Sequence, residues 1–160
     1  SAGGNLAALV ALRARDEGGP RLRHQVLVYP GTDLTMAQPS IDENAEGYFL
    51  SKAAMLWFAD HYLGPDRGHG DPRDPAVSPL HAEDLAGVAP AQVLTAEFDP
   101  LRDEGAAYAA RLADAGVDVT HVPGPGLVHG FFSMGGVIDA ARAAVDRAAD
   151  ALARGLAGAL

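Results

Sequence analysis

Ala91-Gln-Val-Leu-Thr-Ala-Glu-Phe98 runs directly into Asp99-Pro-Leu-Arg-Asp-Glu-Gly105, and this junction decides how the chain is read. The first segment is almost continuously apolar, which fits a strand covered on both faces, as in a parallel sheet. Asp-Pro then closes the strand, and Leu101 to Ala115 reads as a helix with Leu101, Ala106, Ala109 and Leu112 on one face. Gly116 ends that helix. Asp99 suits a helix cap with Pro100 at the first position. Asp103 and Glu104 fall in the first turn, where negative charge suits the helix dipole. Val117 to Val122 alternates as a third strand nearer an edge.

Upstream, a helix precedes another strand. Gln25 to Tyr29 is a short apolar strand ended by Pro30-Gly31. Before it, Ala2 to about Arg15 reads as a helix carrying Leu6, Leu9, Val10 and Leu12, stopped by Gly18-Gly19-Pro20. Between Thr32 and about Ala89 the alternation lapses. There Ser51 caps a helix containing Met55 to Phe58, and a loop follows from Gly64 to Pro79. Its Asp66, Asp71 and Asp74 lack calcium-loop spacing and read as turn formers. Downstream, Pro123 to Gly130 reads as a glycine-rich loop and Val137 to about Leu156 as a final helix.

Strands alternating with helices make this an α/β chain with a mostly parallel sheet flanked by helices. Three strands are too few to protect such a sheet. Residues 1–160 are therefore expected to be the C-terminal part of a single larger domain, with further strands supplied by a preceding segment.

Composition narrows the function. The chain has 160 residues, 48% of them hydrophobic, and a formal net charge of -9. No basic stripe exists to hold phosphates, so a nucleic-acid partner is not expected. The sequence has no cysteine, which removes disulfides, thiolate metal sites and a thiol nucleophile. No stretch of about 18 apolar residues suggests a transmembrane segment. A cytoplasmic location is the working expectation.

The candidate chemistry lies at strand ends, where open parallel sheets place their sites. Ser1-Ala-Gly-Gly-Asn-Leu6 has the small neighbours of a serine held at a sharp strand-to-helix turn, although Ser1 also suits a simple N-cap. A serine hydroxyl needs a base, usually His, and an acid to orient it. Of the six histidines, His24 precedes a strand, His61 lies in a helix, His69 and His81 lie in polar loops, and His121 lies inside a strand. Only His129 sits in a loop after a strand, in Gly126-Leu-Val-His-Gly-Phe-Phe132. Asp99 is the acid at the preceding strand end. The stretch between them is the size of one βαβ step, roughly 30 residues, so the two are expected to meet.

With these positions in place, the sequence resembles the C-terminal part of an α/β-hydrolase of the hormone-sensitive lipase-like esterase family. Ser1-Ala-Gly-Gly-Asn-Leu-Ala7, Asp99-Pro-Leu-Arg-Asp-Glu-Gly105 and His129-Gly-Phe131 carry the resemblance, supported by Tyr29-Pro30 and Val77-Ser78-Pro79. It implies a serine carboxylester hydrolase acting on small or short-acyl esters without metal or organic cofactor. Ser1 would be nucleophile, His129 general base and acid, Asp99 the orienting carboxylate, and the Ala2 N–H an oxyanion-hole donor. The family's His-Gly-Gly-Gly-type loop and N-terminal cap do not occur in these residues, so the stretch alone is expected to be inactive. Two other readings stay open: a non-catalytic small-molecule binding protein on the same fold, and an inactive piece of a nicked hydrolase.

Overall fold

The computed structural model describes residues 1–64 and 70–158. In chain order the elements are α1 (Ala2–Asp16), β1 (Gln25–Val28), α2 (Ser40–Glu43), α3 (Lys52–Leu63), β2 (Ala91–Phe98), α4 (Arg102–Asp114), β3 (Val119–Val128) and α5 (Asp139–Ala157). Short 3-10 turns cover Pro79–His81 and Phe131–Ser133.

The three strands form one parallel sheet in the order β1-β2-β3. Gln25 is in register with Ala91, and Ala91 with Val119, so all three strands point their carboxyl ends the same way. Successive strand residues face opposite sides, and each side meets its own helices. On one side Leu27 and Val93 pack with Ala8, Ala11 and Leu12 of α1 and Tyr108, Ala109 and Leu112 of α4. On the other, Leu94 and Ala96 meet Ala141, Ala144 and Ala148 of α5, together with Val26, Val28 and Phe131. Alanines at three- and four-residue spacing form the buried stripe of α5 and let it lie close to the sheet. The result is the helix–sheet–helix sandwich that a parallel sheet requires.

Several expectations change in detail. β3 continues through Pro123-Gly-Pro-Gly126 to Val128, where the sequence suggested a loop. Gly124 permits this: a Cβ there would lie 2.8 Å from the Thr95 carbonyl oxygen. An edge strand also tolerates proline better than a central one. The pairing with β2 is irregular between Ala96 and Phe98, which shifts the end of β3 toward Phe98. The buried face of α1 is Asn5, Ala8, Ala11 and Leu12, while Leu6 and Val10 are exposed. Ser51 does cap α3, accepting from the Ala54 N–H at 3.2 Å. Asp71 and Asp74 close side-chain turns onto the N–H groups of Arg73 and Ala76. Asp66 and His69 lie outside the described residues.

Candidate active site

β2 and β3 each deliver a candidate residue at the carboxyl end. β2 leads into Asp99, which is fully buried. Its Oδ1 accepts from the Leu101 N–H at 2.9 Å and closes the turn before α4, whose N-cap is Leu101 and not Asp99 as the sequence suggested. Its Oδ2 accepts from Nδ1 of His129 at 2.7 Å. β3 leads into His129, which is also buried, and Gly130 follows at φ 83, a left-handed turn suited to glycine. That turn sends Phe131 into the core and leaves the imidazole beside the sheet end. The Tyr29 ring packs on it at 4.4 Å between centroids and meets Phe131 edge-on at 5.3 Å. An imidazole whose Nδ1 faces a carboxylate keeps its proton there and presents Nε2 as an acceptor.

Ser1 lies at the end of β1. Its nitrogen donates to the Val28 carbonyl at 2.8 Å. Its carbonyl accepts from the N–H groups of Asn5 at 3.0 Å and Gly31 at 3.4 Å. The Asn5 side chain crosses the turn and donates to the carbonyls of Gly31 and Val77 at 2.9 and 2.8 Å. Ser1 occupies the N-cap position of α1, yet its hydroxyl makes no capping bond. Ala2 opens the helix, where first-turn N–H groups have no partner within the helix. Gly4 is required by contact: a Cβ on it would lie 2.9 Å from Cβ of Pro30. The structure thus brings Asp99 and His129 together. It holds the Ser1 backbone against the end of β1, and among the described residues the Ser1 hydroxyl has no hydrogen bond to His129.

The sequence family described as alpha/beta hydrolase fold matches residues 1–133. The chain belongs to the α/β-hydrolase fold family. It is 42% identical over 152 residues to esterase LipI of Mycobacterium tuberculosis, covering 95% of this chain and 47% of that protein. It is 46% identical over 145 residues to carboxylic ester hydrolase LipN of the same organism, covering 85% of this chain and 38% of that one. Among solved structures, the thermophilic carboxylesterase EstE1 from a metagenomic library superposes with a TM-score of 0.89 at 42% identity, covering 98% of this chain and 53% of that one. An ester hydrolase from the metagenome of Lake Arreo, in complex with a bipyridine phosphonate derivative, gives a TM-score of 0.87 at 44% identity, covering 100% of this chain and 49% of that one. The chain spans about half or less of the length of these curated relatives. The resemblance to hormone-sensitive lipase-like esterases therefore stands.

Within this α/β-hydrolase-fold chain a second layer of polar groups lies behind the strand ends. Sequence reasoning did not single it out. Glu104 was expected to be a first-turn charge facing the helix dipole, and it is instead 1% exposed. Its Oε1 accepts from the N–H groups of Thr32 at 2.6 Å and Asp33 at 3.1 Å, and the Thr32 hydroxyl donates to the Glu104 carbonyl at 2.9 Å. Burial pushes its carboxyl up to about 8 against the pull of those two amides, helped by the nearby charges of Asp33 and Asp99. Asp33, also buried, accepts from Nε2 of His81 at 2.9 Å and from the hydroxyl of Thr35 at 2.6 Å. Burial raises the Asp33 carboxyl, but hydrogen bonds from Thr35, His81 and Gln38 outweigh it and leave it below the ordinary range. His81, expected in a polar loop, sits in the 3-10 turn and forms this second Asp–His pair. Asp103, half-buried in the first turn of α4, accepts from Arg102 Nε at 2.7 Å through Oδ1 and from the Ser40 N–H at 2.9 Å through Oδ2.

An apolar cleft of about 520 Å³ opens beside Ser1 and Ala2, walled by Leu34, Met36, Leu50, Met55 and Phe58. Met55 and Phe58 thus line it, whereas Leu127 and Phe131 belong to the core beneath α5. A larger and more polar hollow, about 750 Å³, lies at the opposite ends of the strands among Arg15, Arg21, Arg23 and Arg154. Parallel sheets carry their sites at the carboxyl ends, and of these two hollows the cleft at Ser1 is the one there.

Proposed function

We propose that this chain carries the catalytic triad of a serine carboxylester hydrolase, with Ser1 as nucleophile, His129 as general base and Asp99 as its orienting acid. The observation that carries the reading is the buried His129–Asp99 hydrogen bond of 2.7 Å at adjoining strand ends, with an apolar cleft opening at Ser1, which packs against the end of β1. Esterase relatives of 40–46% identity support the reaction class.

Nε2 of His129 takes the proton of the Ser1 hydroxyl as Oγ attacks the ester carbonyl. The Ser1–His129 hydrogen bond forms in the substrate complex, because such contacts are often long before substrate binds. Asp99 stabilises the imidazolium. The Ala2 N–H, at the positive end of α1, faces the developing oxyanion as one of its donors. His129 returns the proton to the departing alcohol, leaving an acyl-enzyme. Water then attacks the acyl carbon with His129 again as base. The walls from Leu34 to Phe58 exclude water and favour small or short-acyl esters, with no metal or organic cofactor.

The whole protein would complete this site. The relatives' greater length and the exposed Leu6 and Val10 on α1 support a preceding segment of the same domain that adds strands beside β1 and covers these side chains. Turnover of a short-acyl nitrophenyl ester by the full-length protein is the test. His129→Ala is expected to lower kcat by about four to six orders of magnitude. Unchanged turnover in that variant would refute the assignment.

A further inference from the structure

We propose that Glu104 is a positioning residue for the nucleophile, clamping the loop after β1 so that Gly31 is held against the Ser1 carbonyl. The inference rests on the reading of Ser1 as nucleophile and goes beyond it. The path is short and fully described. Glu104 Oε1 accepts from both the Thr32 and Asp33 amides, and the Thr32 hydroxyl returns a bond to the Glu104 carbonyl. The next residue back, Gly31, donates its N–H to the Ser1 carbonyl, while its own carbonyl accepts from Asn5. Glu104 also stands on the first turn of α4, five residues after Asp99 on the same segment. One side chain therefore ties the loop that touches Ser1 to the turn that supplies the acid.

Two further observations fit a positioning role better than a surface charge. The carboxyl is buried, and its Oε2 has no partner among the described residues. It also lies close to two carboxylates, Asp33 from the loop after β1 and Asp99 from the turn before α4. His81 pairs with the first and His129 with the second. Arg102 and Asp103 of the same helix turn point to each other, with Arg102 also bridging to Glu43. An anion at Glu104 would face Asp33 and Asp99 without an opposing cation in contact. Oε1 accepts from the two amides in either protonation state, and ionising the acid in alkali adds a third negative charge beside Asp33 and Asp99.

The test is the rate at which an organophosphonate inactivates the full-length protein, measured per folded molecule alongside kcat and KM. Glu104→Ala is expected to slow inactivation at least tenfold and to lower kcat equally at similar KM. Glu104→Gln, which keeps the acceptor oxygen, should recover most of that loss. An inactivation rate within twofold of wild type in Glu104→Ala overturns the proposal. If Glu104→Ala does not yield folded protein, the pH profile of Glu104→Gln decides. Wild-type kcat should fall above about pH 8 and the Gln variant should not; an identical fall in both overturns the proposal. Failure of the wild type to react at Ser1 is a different result, because it removes the nucleophile assignment and the proposal together.

Discussion

Asp99 divides its two carboxylate oxygens between backbone and ring. Oδ1 holds the Leu101 N–H and Oδ2 holds His129. The sequence suggested Asp99 as the cap of α4, but the N-cap is Leu101 and Asp99 closes the turn before it, while the other oxygen is free for the proposed triad role. Asp99→Asn should separate the two roles. The amide keeps an acceptor for Leu101, so thermal stability should change little. It also presents an N–H where the imidazole needs a carboxylate, which favours the wrong tautomer. We expect kcat to fall by about 10³–10⁴-fold, measured by ester turnover next to a melting curve. Asp99 and His129 were legible because strand ends and one βαβ step determine where they must sit. Glu104 was not. A carboxylate in the first turn of a helix reads the same whether it faces solvent or a buried loop, and only the docking of Thr32 and Asp33 decides between them.

At the scale of elements, the turn into α1 depends on one close approach. The helix crosses Pro30 so tightly that a methyl group on Gly4 would sit 2.9 Å from a ring carbon and 3.0 Å from the Pro30 Cα, neither of which can swing away. Gly4→Ala should cost about 1–3 kcal/mol in chemical denaturation and reduce ester turnover more than stability. Gly3 meets nothing within 4 Å and should accept alanine at the level of helix propensity alone. Ser51→Ala, which removes the cap of α3, should cost about 1 kcal/mol. The sequence announced that cap and the ends of β2. It misjudged β3, because proline and glycine signal turns locally while pairing with β2 keeps the chain extended. It also gave no sign that Asn5 belongs to the buried face of α1, where it is held by its bonds to Gly31 and Val77.

For the whole molecule, three acids with shifted pKa values set opposite pH limits. Glu104 is raised from 4.5 to about 8, so the folded chain holds a proton that the unfolded chain releases. That contribution to stability is complete below pH 4.5 and is lost as pH rises toward about 8. Asp33 and Asp103 are depressed below 3.8, so their contribution is present above that value and is lost as pH falls through their folded values. Unfolding free energies of wild type and Glu104→Gln, compared from pH 5 to pH 9, should diverge along the first slope; parallel curves would contradict it. The exposed Leu6, Val10, Trp57 and Phe58 carry a second expectation. Residues 1–160 produced alone should bind a hydrophobic dye that the full-length protein does not.

The central claim is that Ser1, His129 and Asp99 act as one catalytic unit. Its most direct test is to treat the full-length protein with a fluorophosphonate and map the modified peptide by mass spectrometry. The triad predicts a single label on Ser1 that disappears in His129→Ala. Ester turnover with the label on another residue, or with Ser1 unmodified, would contradict it.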